Sequence, residues 1–205
     1  CHGGELCPDV FVYPVTSSAR PEKSYRHVIY IDPRDAFGDG RHPTTVMCAR
    51  MLCDRLASPE CAQSAPVSLL DAGTGTGVLA VLASKLGIPH VDALDIDADA
   101  VRMARSNAER NGCKGVSFYH TDIAGFRGKT RYDVVVANLL TEVLQRTMGV
   151  LANLVSERGV IIASGIGDRW EREMRQCFRD HNLAVDAMET MDGWCAFMVS
   201  RDVVR

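Results

Sequence analysis

Four groups of residues in this chain have types and spacings that could do chemistry. The first is Asp71-Ala-Gly73-Thr-Gly75-Thr-Gly77, an acid followed by glycines at alternate positions. Glycine there lets the backbone take positive φ and lets a ligand come close to the main chain. Such a turn also delivers free N–H groups at a helix N-terminus, which suits a negatively charged group. The second is Asp95, 20 residues after Gly75, with Ile96 beside it. An acid at that place in a βαβ unit can grip the two hydroxyls of a ribose. The third is Asn138, which closes the apolar run Tyr132–Ala137. Its side-chain and backbone carbonyls can both accept from an amine, and it has no ionisable proton of its own. The fourth is His42, just before Pro43 and Thr44-Thr45. It is a candidate general base, but a loop histidine just before a helix, here the one that Pro43 opens, is more often a cap or a packing residue.

The elements that must hold these residues alternate along the chain. Val67–Asp71 reads as a short buried strand, and Val78–Leu86 as a helix closed by Gly87. His90–Leu94 is the next strand, and Ala98–Asn111 a helix with Asp97 as its N-cap. Val116–Tyr119 and Tyr132–Ala137 are further strands, the second apolar on both faces as a central parallel strand should be. A helix then runs to about Val155, a strand over Gly159–Ser164, and a helix from Asp168 to His181. Asn182–Met188 and Trp194–Ser200 close the chain as a hairpin, so the last strand runs antiparallel. Towards the N-terminus, Val10–Tyr13 reads as an edge strand, His27–Ile31 as a clear strand and Pro43–Leu56 as a helix. The pattern predicts an α/β fold with a mostly parallel, Rossmann-like sheet and helices on both faces. Residues 1–58 supply N-terminal strands, a loop and a helix, and 59–205 the nucleotide-binding core, within one compact domain.

Composition narrows the classes. A chain of 205 residues can bury one full-sized core, and its 46% apolar and 24% charged content is that of a soluble globular protein. A net charge of −3 gives no bulk attraction to nucleic acid. No apolar run is long enough for a membrane span, and no secretion signal opens the chain. The eight cysteines are scattered, without C-x-x-C and without histidine at zinc spacing, so no metal site is expected and most of the cysteines read as reduced. A cytoplasmic protein fits these features best, and the oligomeric state is not legible.

Spacing alone leaves the cofactor open, because Gly75-Thr-Gly77-Val-Leu-Ala80 also fits the dinucleotide pattern G-x-G-x-x-A. Resemblance goes further. The glycine motif looks like the first motif of class I S-adenosyl-L-methionine (AdoMet) methyltransferases. With Ala36-Phe37-Gly38-Asp39-Gly40-Arg41-His42-Pro43-Thr44-Thr45, Asp95-Ile-Asp97, Asn107-x-x-x-Asn111-Gly112 and Val136-Ala-Asn138-Leu-Leu140, the chain resembles the PrmA family over roughly residues 27–200. Those enzymes methylate ribosomal large-subunit protein eleven, and relatives methylate lysines of other proteins.

The resemblance implies a seven-stranded methyltransferase sheet with AdoMet as cofactor. It implies that the loop bearing Phe37, Gly38, His42 and Thr45 packs over the cofactor, and that Asp71, at the strand end, lies near its amino group. The turn Gly73, Gly75, Gly77 and the pair Asp95, Ile96 then line the site, with Asp95 on the ribose. Asp122 can reach the adenine amino group with Ile123 against the ring, and Asn138 sits beside the methyl group and the incoming amine. Asp39 stands where the family has Thr. The expected activity is N-methylation of lysine or amino groups of a protein, with a ribosomal protein as one candidate substrate and Asn138 and His42 as catalytic candidates. The family's ribosomal enzyme also has an N-terminal substrate-gripping domain, and only a short stretch stands in its place here. A small-molecule methyltransferase, or a non-catalytic AdoMet-binding protein that needs a partner, are the alternatives.

Overall fold

A computed structural model describes residues 3–16, 24–32, 40–59, 61, 68–128 and 131–202. The main sheet has seven strands: β4 (Ser68–Ala72), β5 (His90–Asp95), β6 (Val116–His120), β7 (Tyr132–Asn138), β8 (Val155–Gly167), β9 (Leu183–Met191) and β10 (Trp194–Arg201). Their order is β6-β5-β4-β7-β8-β10-β9. The first five run parallel, and β10 is antiparallel to both β8 and β9. This is the class I methyltransferase sheet, with its antiparallel last strand. β9 and β10 meet at Asp192-Gly193, both at positive φ (49° and 79°), the conformation that suits a two-residue hairpin.

Successive side chains of a strand point to opposite faces, so the central strands divide the core in two. Leu69, Val134, Val136 and Ile162 face one cluster; Leu70, Val135, Ile161 and Phe197 face the other. Helix α2 (Val78–Lys85) buries every residue from Val78 to Ala83 on the first side. On the second side lie α4 (Thr141–Leu154) and α5 (Glu171–Asp180), whose Met174 and Phe178 are fully buried. The Phe178 and Phe197 rings meet edge to face at 5.3 Å.

Ahead of this core lies a second, three-stranded sheet, β1 (Gly4–Cys7), β2 (Val10–Pro14) and β3 (His27–Ile31), with β2 at its centre. β2 is therefore not the edge strand that its sequence suggests; β1 carries no alternation that would reveal it. Leu6, Val12 and Ile29 enter the first core cluster together with Met47 and Leu52 of α1 (Pro43–Ala57). Helix α3 (Ala98–Arg110) follows β5, with Asp97 accepting from the Asp99 N–H at 2.8 Å as its cap.

Several boundaries differ from the expected ones; at their ends β8 runs on to Gly167 and β9 to Met191, each three residues further than expected. α4 stops at Leu154 because Val155 is extended (φ −78°, ψ 140°) and pairs with Tyr132, so β8 starts four residues before Gly159. The helix expected from Asp168 begins as a short 3-10 turn, Asp168–Trp170, before α5.

Candidate functional site

The chain leaves β4 in one direction to lay down β5 and β6, then returns to place β7 and β8 on the other side of β4. Loops at the carboxyl ends of β4 and β7 diverge there, and such a switch point is where open α/β sheets bind ligands. A cavity of about 500 Å³ opens at this place. Its walls are Gly73 and Gly75 after β4, Asp95 and Ile96 at the end of β5, and Thr121 to Ile123 after β6. Asn138 to Leu140 at the end of β7, Gly165 of β8 and Trp194 of β10 also line it, with His42 and Thr44 from the start of α1.

Backbone geometry fixes the glycine turn. Gly73 has φ +77°, and a Cβ on it would sit 2.3 Å from Leu139 Cδ2. The Gly73 and Thr74 N–H groups donate to Leu94 O at 2.9 Å, which ties the turn to β5. Asp71 lies behind the turn rather than on the cavity wall. It is 1% exposed, and its Oδ2 accepts from the Thr74 hydroxyl at 2.6 Å. Burial pushes its carboxyl up to about 6, with the Asp95 charge adding to the rise, while the Thr74 hydrogen bond and the backbone at Ala80 oppose it.

Asp95 is half-buried at the end of β5. Its Oδ2 accepts from the Gly75 N–H at 2.9 Å and its Oδ1 from the Asp97 N–H at 3.0 Å. An ionised carboxylate has about four acceptor positions, so two stay available for hydroxyls of a ligand. Ile96 is 70% exposed beside it, an apolar surface facing the cavity. The Thr121 N–H donates to Asp95 O at 2.9 Å, which brings the next loop alongside. There Asp122 Oδ1 accepts from the Ala124 N–H at 2.9 Å, and Ile123 is buried with its surface on the cavity. Ribose-type hydroxyls on Asp95 and a flat base between Ile96 and Ile123 fit these acceptors and surfaces.

At the other end Asn138 Nδ2 donates to Thr45 Oγ1 at 3.3 Å. That contact fixes the amide's orientation and turns Oδ1 away from Thr45. Thr45 itself is 1% exposed and is not on the cavity wall, so its reach is to Asn138 rather than to a ligand. His42 caps α1: its Nδ1 accepts from the Thr44 N–H at 3.3 Å and lies 2.8 Å from Thr44 Oγ1. Since a backbone N–H can only donate, Nδ1 is the acceptor and the neutral ring carries its proton on Nε2. That tautomer suits a cap and a donor better than a base. The ring meets Trp194 edge-on at 5.3 Å.

Gly77 stands at the N-cap of α2, behind the two glycines on the wall. Phe37 and Gly38 lie outside the described residues. Trp194, whose sequence reads as core, is half-exposed on the wall, and Gly165 and Arg146 join it there without a sequence motif to point to them. A Ser-Gly pair at a strand end carries little signal, and Arg146 sits on a helix whose facing is legible only once α4 is in place.

A family model described as ribosomal protein L11 methyltransferase (PrmA) matches residues 5–202. A ribosomal protein L11 methyltransferase of Dictyoglomus thermophilum is 36% identical over 169 residues, 82% of this chain and 52% of that protein. One of Dictyoglomus turgidum is 41% identical over 142 residues, covering 69% and 44%. Among crystal structures, a ribosomal protein L11 methylase from Lactobacillus delbrueckii subsp. bulgaricus aligns with a TM-score of 0.85 at 29% identity, over 98% of this chain and 99% of that one. A magnesium protoporphyrin IX methyltransferase from Synechocystis, with bound SAM, has a TM-score of 0.61 at 19% identity over 77% and 82%; that likeness is one of fold. The chain spans about half the length of the curated relatives it matches. With its family match running almost from end to end, the chain belongs to the ribosomal protein L11 methyltransferase (PrmA) family.

Proposed function

We propose that this chain is an AdoMet-dependent methyltransferase that methylates an amino nitrogen of a ribosomal protein, with lysine as first choice. The observation that carries the reading is the placement of Asn138. It stands at the switch point, on the wall of the cavity that also holds the glycine turn and Asp95, with its amide held by Thr45. The residues fit AdoMet: Gly73 and Gly75 offer close-approach backbone, Asp95 two acceptor positions, and Ile96 and Ile123 apolar faces. When bound, that cofactor supplies a methyl group already activated on a sulfonium.

The chain's own work is then to orient and desolvate the acceptor. A lysine amine in water titrates at about 10.4, so about one in a thousand is neutral at roughly pH 7.4, and presenting it neutral costs roughly 4 kcal/mol. A largely apolar wall of Leu139, Leu140 and Trp194 disfavours the charged amine and lowers that cost. Asn138 Oδ1 and its main-chain carbonyl accept the amine's N–H groups and aim its lone pair. His42 holds the first turn of α1 in place and presents an edge of the cavity. A ribosomal acceptor suits a cytoplasmic protein; among the described residues no helix is long and apolar enough to cross a membrane.

The test is transfer of radiolabelled methyl groups from AdoMet to purified ribosomal protein L11, beside calorimetric titration with S-adenosylhomocysteine (AdoHcy) and with NAD. Wild type should bind AdoHcy, ignore NAD and label the protein. Asn138→Ala should lower the rate by a hundredfold or more, about 2.7 kcal/mol, and leave AdoHcy affinity within threefold. Unchanged transfer by Asn138→Ala would remove it from the mechanism; binding without labelling would move the search to another acceptor.

A further inference from the structure

Among the described residues no strand pairs with the outer edge of β3, yet main-chain groups along that edge are paired. Two side chains from the C-terminal end of α3 do this. Asn111 Oδ1 accepts from the Tyr30 N–H at 2.9 Å, and Asn111 Nδ2 donates to Tyr30 O at 2.7 Å. One turn earlier Asn107 Oδ1 accepts from the Asp32 N–H at 2.9 Å, and Asn107 Nδ2 donates to Asp32 O at 3.2 Å. Each carboxamide thus presents the donor and acceptor that a neighbouring strand residue would present. The spacing matches: four helical residues rise about 6 Å, and two strand residues about 6.6 Å. Both asparagines are buried, at 0% and 7% exposed, so these are not contacts that water could replace freely.

Asn107 has a further partner. Its Nδ2 also donates to Thr76 O at 2.9 Å, inside the glycine turn. One buried side chain therefore joins the strand that leads towards His42 to the turn that presents Gly73 and Gly75.

We propose that Asn107 and Asn111 are positioning residues: together they act as a surrogate strand that docks the N-terminal sheet on the core, and Asn107 alone carries that docking to the glycine turn and so to ligand affinity. The second half rests on the methyltransferase reading above; the first does not. Sheet pairing of this kind also keeps the β3 edge from joining another chain.

The experiment combines amide hydrogen exchange with AdoHcy titration on the whole chain. In wild type the Tyr30 and Asp32 amides should exchange slowly; exchange at the unprotected rate overturns the docking without any variant. Asn111→Ala should speed exchange at Tyr30 and leave AdoHcy affinity within threefold. Asn107→Ala should speed exchange at Asp32 and weaken AdoHcy by roughly tenfold. Asn107→Asp keeps the acceptor for the Asp32 N–H and loses both Nδ2 donors, to Thr76 O and to Asp32 O. It should retain much of the protection at Asp32 and still bind AdoHcy as weakly as Asn107→Ala. A general loss of packing would not split the two readouts in this way. Equal weakening by Asn111→Ala, or full affinity in Asn107→Asp, overturns the route through Thr76. Failure of wild type to bind AdoHcy counts against the proposed function, while the exchange data still decide the docking.

Discussion

Single residues at this site are defined by what already occupies their hydrogen-bonding capacity. Asp95 has given half of its acceptor positions to backbone, which locks its orientation and leaves the rest for a ligand. Asn138 has given one donor to Thr45 and keeps its acceptor. Asp71 is the opposite case, a carboxyl almost wholly removed from solvent behind the turn. Its acidity yields a test of stability. Burial lifts the folded-state value to about 6, from an ordinary value of 3.8. Between those two values the folded chain binds more protons at this site than the unfolded chain does. Stability contributed here is therefore full at low pH and is lost as pH rises through the window from about 4 to about 6. The loss is on the order of 3 kcal/mol. Asp71→Asn keeps an acceptor for Thr74 and has no charge to bury. Urea unfolding of both proteins from about pH 4 to about pH 7.5 should show wild type losing ground to Asp71→Asn as pH rises, with the difference level above about 7. A difference independent of pH would mean that Asp71 is ionised with no cost in the fold.

Elements place these residues through close backbone approaches. Leu139, just after β7, is wedged between the turn after β4 and Gly165 of β8. A Cβ on Gly165, which has φ +88°, would lie 2.0 Å from Leu139 O and 2.7 Å from its carbonyl carbon. Those atoms are main chain and cannot swing aside. Gly165→Ala should then cost at least about 3 kcal/mol, from strain and displacement combined. Gly112→Ala is the control: φ is +64°, but nothing lies within 4 Å of the added carbon. Its cost should be about 1 kcal/mol. Urea midpoints of the two variants make the comparison; equal costs would show that β8 moves easily and that the Leu139 wedge is not a constraint. Gly165 is invisible in the sequence because nothing local marks a strand that passes another loop. β1 hides for a related reason, since Gly4-Glu-Leu-Cys7 has no period and is a strand only because β2 pairs with it. β4, β7 and the closing hairpin are legible, because a buried parallel strand is apolar on both faces and Asp192-Gly193 specifies its own turn. Asp95 is legible by its distance from the glycines. The facing of His42 and Thr45 is not, because capping and burial are decided by how α1 packs.

At the scale of the whole molecule, the cavity draws its walls from both sides of the switch point and from α1. β5 and β6 contribute one side, β7 and β8 the other, and the two core clusters lie on opposite faces of the sheet that joins them. A ligand seated there touches the ends of strands that belong to both clusters. Its binding free energy is accordingly available to the folded chain as a unit, since the unfolded chain offers no such site. With AdoHcy at about one hundred times its dissociation constant, the gain is about 2.7 kcal/mol. For a chain of this size each kcal/mol moves the melting temperature by roughly 2–4 °C, so the expected shift is about 5–10 °C. NAD at the same concentration should give none. The shift should also appear as one transition by two probes, far-ultraviolet dichroism for the sheet and helices and tryptophan fluorescence for Trp170 and Trp194. Trp194 lies on the cavity wall and Trp170 against the second core cluster, so fluorescence reports both regions at once. Two separate transitions, with only one displaced by AdoHcy, would mean that the cavity is held by part of the fold and that the N-terminal sheet and α1 melt independently of it.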